Sequence, residues 1–438
     1  MQTFEKLASR APRLFKWGKL LSVTGGAQIL IQGTGFLAGI FIIRILPTEE
    51  YAYYTLANTM LGTMTVLADG GISTGVMSEG GKNWQSREEL GSILATGMQM
   101  RRQFAIGSLA VSIPILFYLL YDQGLIWWQA ALLILCLTPV FWAQLSGSLL
   151  QIVPRLHQDI NDLLRINVRI NVVRLLMTIP ALLLFPFAGV AILASGVAQV
   201  RGNLKFRELS LTKADWKTDS SDYYRGRIMK SVKRILPGSI YYCISGQITV
   251  WLIAIFSDTE SIAQIGALSR LMMLLTLLKM LVDMLIVPRY ARLPSNKRTV
   301  IVRFLQVLAL LLGVSAVITF AVYLFPKFFL WILGGKYQDL ETEVVWMTLG
   351  SCLTLITGVA HSLSSSRGII PNPYLFISFT ILSQVFVLYF LVDYTTLTGV
   401  ILFSVYSAVL QIVYRMGDFL YRTLVRHEYQ DEETAPAA

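Results

Sequence analysis

Charged residues are few in the stretches that are apolar enough to enter a lipid bilayer, and the candidates among them are Asp69, Arg174, Arg270, Lys279 and Asp283. A charge at membrane depth is costly unless it faces water or a partner, so each of them is a candidate functional position. The chemistry open to them is electrostatic, because guanidinium and ammonium groups bind anions whereas carboxylates bind protons or cations.

Arg270 is the main candidate for substrate binding. It lies nine residues into the predicted span 261–288, which places it roughly 13 Å from the outer end of that helix, near the midplane. A guanidinium group can hold phosphate oxygens in a bidentate manner. The sequence therefore predicts a site for an anionic phosphate group. The alternative is a structural arginine, neutralised by backbone carbonyls or a carboxylate.

Lys279 and Asp283 are four residues apart and share one helix face, about 180° from Arg270. We interpret them as a self-neutralising pair or, alternatively, as a coupling site for H⁺ or Na⁺. Asp69 lies near the cytoplasmic end of its predicted span and is followed by two glycines. It is expected to fix the turn there, and ion coupling is the alternative.

Arg174 lies in the predicted span 166–185, near its cytoplasmic end. A side chain of this length reaches the interface from such a position by extending along the helix. Arg165 and Arg169 precede it on the same stretch. The three arginines therefore also fit a second interpretation, a basic entrance for a lipid-linked diphosphate.

Three glutamines are uncharged polar groups at depth. Gln28 and Gln32 share a face of the first span, and Gln247 lies in the seventh. Their amides are suited to hydrogen bonds with sugar hydroxyls, but polar groups in membrane helices also commonly bond to neighbouring helices. The sequence leaves both interpretations open.

The sequence predicts no cofactor and no metal. Cys136, Cys243 and Cys352 are far apart inside apolar runs, and the three histidines are scattered, so the spacing of a metal site is missing. No glycine-rich segment precedes a Lys-Ser or Lys-Thr pair, which argues against a nucleotide-binding loop.

The elements that hold these residues are predicted to be membrane-spanning helices. Apolar residues make up 55% of the 438 residues and charged residues only 14%, whereas soluble domains carry roughly a quarter charged residues. A helix needs about 20 apolar residues to cross the hydrocarbon. This length predicts an all-α integral membrane protein with twelve spans, near 20–43, 51–76, 103–121, 125–150, 166–185, 187–202, 235–257, 261–288, 302–325, 343–364, 371–392 and 396–420.

The distribution of basic residues predicts the orientation. Of 37 lysines and arginines, the predicted external loops hold only Arg44, Lys327 and Lys336. Basic residues accumulate on the cytoplasmic side of membrane proteins, so both termini are expected in the cytoplasm and the chain in the inner membrane. The net charge of +11 then reflects contact with anionic lipid and not nucleic-acid binding.

The predicted organisation has five segments: an interfacial amphipathic segment (1–19), a six-helix lobe (20–202), a basic cytoplasmic linker (203–234), a second six-helix lobe (235–424) and a disordered tail (425–438). The halves look related, because 43–60 aligns with 254–271 at an offset of 211 residues. Internal repeats of this kind place the substrate site between two lobes, so a central cavity is expected.

Two short motifs carry a family resemblance. The hairpin R-I-L-P-T-E-E-Y-A-Y-Y (44–54) and the segment L-A-D-G-G-I (67–72) resemble the polysaccharide flippases of the multidrug/oligosaccharidyl-lipid/polysaccharide exporter superfamily. The matching residues are Arg44, Leu46, Pro47, Tyr51, Tyr54, Asp69 and Gly71. Ala52 stands where that family usually has glycine. Arg44, Pro47 and Tyr51 are accordingly expected to shape the hairpin.

The resemblance implies alternating access between two lobes. It implies an isoprenoid-diphosphate-linked oligosaccharide as substrate, moved from the inner to the outer leaflet for lipopolysaccharide, exopolysaccharide or another cell-surface polysaccharide. Membrane lipid, a polysaccharide polymerase and other export proteins are the implied partners.

Three other functions remain open. A cation-coupled drug or metabolite antiporter of the same superfamily typically uses a carboxylate in the first bundle, which the first span lacks. A membrane polysaccharide polymerase or ligase needs a sizeable external loop with acid and base residues, and the largest one, near 326–342, shows no obvious dyad. A scaffold in a polymer-export complex is the third. We therefore expect a transporter and not an enzyme.

Overall fold

The computed structural model describes residues 25–216, 218–293, 296–367, 369 and 372–424. Throughout these ranges the regular structure is helical. The helices of the first half are α1 (Gly25–Ile45), α2 (Thr48–Asp69), α3 (Ile72–Lys82), α4 (Arg87–Asp122), α5 (Trp127–Leu150), α6 (Ile152–Leu156), α7 (Ile160–Leu184) and α8 (Ala188–Leu211). Those of the second half are α9 (Asp222–Phe256), α10 (Thr259–Leu285), α11 (Val287–Ala291), α12 (Lys297–Leu324), α13 (Pro326–Leu333), α14 (Glu341–Ser366), α15 (Pro373–Phe390) and α16 (Leu397–Leu424).

Each of the twelve predicted spans overlaps a long helix of the described ranges, but the spans 51–76 and 261–288 run on into the short helices α3 and α11. Eight helical stretches of the described ranges are long and apolar enough to cross a membrane. The observed helices differ most from the predicted spans at the N-termini of two helices. Helix α4 begins at Arg87, well before the predicted start at 103, and α9 begins at Asp222 instead of 235. In both, the helix continues through polar residues that the apolar criterion excluded. The prediction of an all-α membrane fold is confirmed.

The two halves repeat one helical pattern. Helix α1 ends at Ile45 and α9 at Phe256, while α2 begins at Thr48 and α10 at Thr259. Both pairs of positions are 211 residues apart, the offset predicted from the sequence. The contacts repeat as well, because α5 packs against α8 and α4 in the first half as α14 packs against α16 and α12 in the second.

The chain forms two compact units that divide after Ile244, within α9. The first unit has a buried core in which α3, α4 and α5 meet, around Ile72, Ile93 and Leu149. The core of the second unit is built where α10, α12 and α14 meet α16, and there the rings of Phe304 and Phe419 stack at 3.9 Å.

The segment 203–234 was expected to be a linker, but it is largely ordered secondary structure packed on α4. Helix α8 extends to Leu211, and the turn after it returns to α4. The N–H of Asp215 donates to the carbonyl of Arg87 at 2.9 Å, and the N–H of Ser221 donates to the hydroxyl of Thr96 at 2.9 Å. The segment is therefore part of the first unit. The predicted terminal segments, 1–19 and 425–438, lie outside the described residues.

Candidate functional site

The hairpin between α1 and α2 is a packed structural element. Pro47 precedes the first residue of α2, and its carbonyl accepts a hydrogen bond from the N–H of Tyr51 at 2.9 Å. Tyr51 is 1% exposed and its ring stacks on that of Tyr54 at 6.0 Å. Glu50 accepts from the N–H of Ala188 at 2.8 Å, which joins the starts of α2 and α8. Arg44 is exposed at the end of α1.

The Asp69 turn separates α2 from α3. Gly70 and Gly71 both adopt positive φ, at 47° and 93°, a region that favours glycine. A Cβ on Gly71 would lie 2.8 Å from the side chain of Ile235, so this position also needs glycine for space. Asp69 accepts hydrogen bonds from the N–H of Ser73 at 3.3 Å and from its hydroxyl at 2.6 Å. The carboxylate therefore fixes the first turn of α3.

Arg101 completes this turn and was not among the predicted site residues. Its side chain is 1% exposed, and it donates to the carboxylate of Asp69 and to the Ser73 hydroxyl. It also donates to the Leu145 carbonyl, and to the Ser148 hydroxyl at 2.7 Å. The resulting network, here called the Arg101 cluster, joins α2 and α3 to α4 and α5. Because Arg101 and Arg102 precede the apolar run of α4, the sequence placed both in a cytoplasmic loop.

Arg270 and Lys279 lie on α10, as predicted. Arg270 is eleven residues beyond Thr259 and half-buried. The ammonium group of Lys279 lies 2.5 Å from Oδ2 of Asp283, so the predicted pair is formed. A Cβ on Gly358 of α14 would be 2.9 Å from the Lys279 side chain. The other carboxylate oxygen of Asp283 is buried, and no hydrogen-bond donor for it is present among the described residues.

Arg415 is a buried cation that was not among the predicted site residues. It lies on α16 and is 9% exposed, with its guanidinium carbon 4.4 Å from the ring centroid of Phe376. Its Nε donates no hydrogen bond within the described residues. His361 is half-buried on α14, which packs against α10, the helix of Lys279, and against α16, the helix of Arg415. Lys279, Asp283, His361 and Arg415 are together called the second-unit cluster.

The other predicted residues are distributed along their helices. Arg174 is half-buried on α7, and Gln28 and Gln32 are half-buried on α1. Gln247 belongs to α9, and its side chain is outside the described part of the structure. The assembly of these residues with Arg270 into one site stays a prediction.

Arg165 and Arg169 line a cavity of about 290 Å³ between α7 and α8. Two acidic residues also line it, and both are paired: Asp162 lies 3.5 Å from Arg165, and Glu208 lies 2.7 Å from Lys205. This surface is therefore a mixture of charges. Within the described ranges, no group of three His, Cys, Asp or Glu side chains is arranged to hold a metal ion.

Comparison with known proteins gives structural matches only. No protein-family model matches the chain, and no curated protein matches its sequence. A lipid II flippase, MurJ, in an inward closed conformation matches with a TM-score of 0.70 and 14% identity, covering 92% of this chain and 90% of the flippase.

Two structures of MATE-family multidrug resistance transporters of the MOP superfamily also match. The inward-facing one has a TM-score of 0.67 and 13% identity, covering 90% of this chain and 93% of the transporter. The outward-facing one has a TM-score of 0.64 and 15% identity, covering 92% and 95%. These likenesses show a shared fold, an all-helical membrane protein of two repeated bundles.

Proposed function

We propose that this chain is a membrane transporter that flips an isoprenoid-diphosphate-linked oligosaccharide from the cytoplasmic to the outer leaflet by alternating access. Two kinds of evidence support this proposal. The fold resembles that of a lipid II flippase and of multidrug transporters, and the hairpin and Asp69-turn motifs resemble those of polysaccharide flippases. The chain is proposed to act in the inner membrane, beside a polymerase and other export proteins.

The main observation behind the proposal is the sign of the charged side chains that lie within the long apolar helices. Arg174, Arg270 and Arg415 all lie within long apolar helices. Among the carboxylates at similar positions, Asp69 is neutralised by Arg101 and Asp283 by Lys279. Counted by formal charge, the deep side chains named here are more basic than acidic, which favours a polyanionic head group over a cationic drug.

Arg270 is proposed to bind the diphosphate. Its position places a guanidinium group near the midplane, where extension to either interface is difficult. Bidentate hydrogen bonds to phosphate oxygens are stronger than those to neutral acceptors. Gln28, Gln32 and Gln247 are proposed to bind sugar hydroxyls, and Arg174 to attract the diphosphate at the cytoplasmic side.

The second-unit cluster is proposed to couple transport to an ion gradient. Asp283 has one oxygen bound by Lys279 and another with no donor among the described residues. Asp69 is instead assigned a structural role, because its Oδ1 atom accepts hydrogen bonds from Arg101 and Ser73 and so holds the start of α3. Coupling is thus assigned mainly to Asp283.

The alternative function is a cation-coupled drug or metabolite antiporter. The similarity to MATE-family multidrug transporters is the observation that favours it. An antiporter for cationic drugs needs an acidic cavity, so the two functions differ in the sign of the charge that binds the substrate. All the similar structures named above are of transporters, which supports a transporter over a polymerase or ligase.

Transport in proteoliposomes tests the proposal. The probe is a fluorescent isoprenoid-diphosphate-linked sugar, and a membrane-impermeant quencher reports its leaflet. We expect R270Q to lower the flipping rate by at least tenfold and R270K to retain part of it, since an ammonium group keeps the charge without the bidentate geometry.

R289Q is the matched control, because Arg289 is an exposed arginine of α11, which follows α10 in the chain. It should flip at the normal rate. If the purified protein instead moves a lipophilic cationic drug against a proton or sodium gradient and leaves the lipid-linked sugar in place, the antiporter is the correct function.

A further inference from the structure

The first unit contains a cavity that the proposed transport cycle does not use. It has a volume of about 810 Å³ and lies among α4, α5, α8 and the turn after α8. This is within the range of small-molecule sites in proteins, about 300–1,000 Å³. Its polar lining includes Arg101, Arg102, Gln99, Asn203 and Arg207, and no acidic residue lines it.

Two of these arginines have no ion-pair partner among the described residues. Arg102 and Arg207 come from different helices, α4 and α8, and both are exposed. Neither forms an ion pair within the ranges that the structure describes. Arg101, in contrast, is neutralised by Asp69 although it also lines the cavity. The cavity therefore combines two available guanidinium groups with a lining that lacks a competing carboxylate.

Helix geometry gives the depth of this pair of arginines. Arg102 is 20 residues before the external end of α4 at Asp122, and Arg207 is 19 residues after the external end of α8 at Ala188. At 1.5 Å per residue, both are about 30 Å from the outer ends of their helices. The hydrocarbon core is about 30 Å thick, so both guanidinium groups lie at the level of the cytoplasmic head groups.

The rest of the wall is mainly apolar. Trp142 and Trp216 line it, and the indole N–H of Trp216 donates to the Ser210 hydroxyl at 3.0 Å. The amide of Asn203 donates to the carbonyl of Ala143 at 2.6 Å, which joins α8 to α5. Tryptophan is favoured at the membrane interface. A free inorganic anion would leave this apolar wall unused.

We infer that the cavity is a binding site for an anionic phospholipid of the cytoplasmic leaflet. Arg102 and Arg207 hold the phosphate from two sides, and the acyl chains lie along the apolar wall beyond Trp142. Basic pockets between membrane helices on the cytoplasmic side are suited to such head groups. A bound lipid would join α4 to α8, a function separate from substrate transport.

Native mass spectrometry of the delipidated full-length protein tests the site. Phosphatidylglycerol is the anionic probe and phosphatidylcholine the zwitterionic one. We expect wild-type protein to retain phosphatidylglycerol preferentially. R102Q and R207Q should each weaken binding by about fivefold, and the double variant by roughly 25-fold if the two arginines act independently.

R201Q is the matched control, because Arg201 is an exposed arginine of α8 that does not line the cavity. Its retention of phosphatidylglycerol should equal that of the wild type. Because all three arginines are exposed, we expect the variants to fold as the wild type does, and size-exclusion profiles check this. The inference would be overturned if the double variant retained as much phosphatidylglycerol as R201Q. It would also be overturned if the wild type retained phosphatidylglycerol and phosphatidylcholine equally. Tight binding of inorganic phosphate without lipid would assign the arginines to a soluble anion instead.

Discussion

The backbone of Gly91 on α4 lies directly against the carbonyl of Asp215, so that a Cβ at position 91 would be only 1.9 Å from that oxygen. The neighbouring hydroxyl of Ser92 donates to the carbonyl of Asp219 at 2.9 Å. The turn after α8 thus approaches α4 as closely as two backbones can. Only glycine leaves room for this contact.

G91A is therefore expected to destabilise the protein. Backbone has to move to admit the methyl group, and overpacking of this kind costs about 1–3 kcal/mol or more. G107A is the matched control on the same helix, since a Cβ there meets nothing within 4 Å. It should leave stability unchanged or raise it by about 0.5–1 kcal/mol. Thermal unfolding in detergent measures both, and equal midpoints for the two variants would contradict the close contact.

The Arg101 cluster predicts a strong coupling between two charges. The side chain of Asp69 is 28% exposed and that of Arg101 is 1% exposed. R101M therefore leaves a partly buried carboxylate without its counter-ion, and D69N leaves a buried guanidinium group without its counter-ion. Breaking a buried pair from one side costs about 3–5 kcal/mol. The double variant D69N/R101M should be more stable than R101M alone, as measured by a double-mutant cycle.

An exposed ion pair serves as the control for the buried pair of Asp69 and Arg101. Asp162 and Arg165 lie 3.5 Å apart with 54% and 74% of their side chains exposed. D162N should cost less than about 1 kcal/mol. Additive effects of D69N and R101M would show that the two charges do not stabilise one another.

The cap of α10 predicts a dependence of stability on pH. Asp258 accepts a hydrogen bond from the N–H of Ser261 at 2.9 Å. Hydrogen bonds from the Ser261 hydroxyl and N–H hold the pKa of Asp258 below its ordinary value of 3.8. Near these pH values the Asp258 side chain binds fewer protons in the folded state than in the unfolded state. Its contribution to the free energy of unfolding is therefore complete above pH 3.8 and is lost as the pH falls through the lowered pKa.

D258A should accordingly cost about 1 kcal/mol at pH 7. The difference from wild type should shrink as the pH is lowered below 3.8, because protonated aspartic acid caps more weakly. D258N keeps a neutral capping oxygen and serves as the control, with a smaller and pH-independent cost. A D258A penalty that is the same at pH 7 and pH 3 would contradict the role of the charged cap.

The second-unit cluster predicts where ion coupling resides. D283N removes a carboxylate of which Lys279 binds only one oxygen. We expect this variant to bind substrate but to lose the stimulation of transport by a proton or sodium gradient. D418N is the control, because both oxygens of Asp418 already accept from Nε of Arg422 at 2.9 Å. Gradient-dependent transport by D283N at the wild-type rate would remove Asp283 from the coupling mechanism.

The sequence was a good guide to the helices and a partial guide to the polar clusters. Apolar length located all twelve long helices because the bilayer demands a continuous apolar stretch. The same criterion failed at Arg87 and Asp222, where helices extend through polar residues. Length and apolarity carry no information about how far a helix continues into water.

The sequence predicted polar contacts within one helix but not those between helices. Lys279 and Asp283 were found because a pair on one helix follows from a spacing of four residues. Asp69 and Arg101 are 32 residues apart on different helices, and their contact depends on how α2 and α4 pack. Arg415 lies within the predicted span 396–420 but was missed, because it was counted with the basic residues that follow it at the end of α16. A charge count assigns such a residue to the cytoplasm, whereas its burial against Phe376 follows only from packing.

The ion pair between Asp69 and Arg101 also bears on the order of assembly. The two residues are 32 positions apart on α2 and α4, so neither charge can neutralise the other until α4 has been synthesised. The contacts that hold the start of α3 can therefore be completed only after α4 has joined α2.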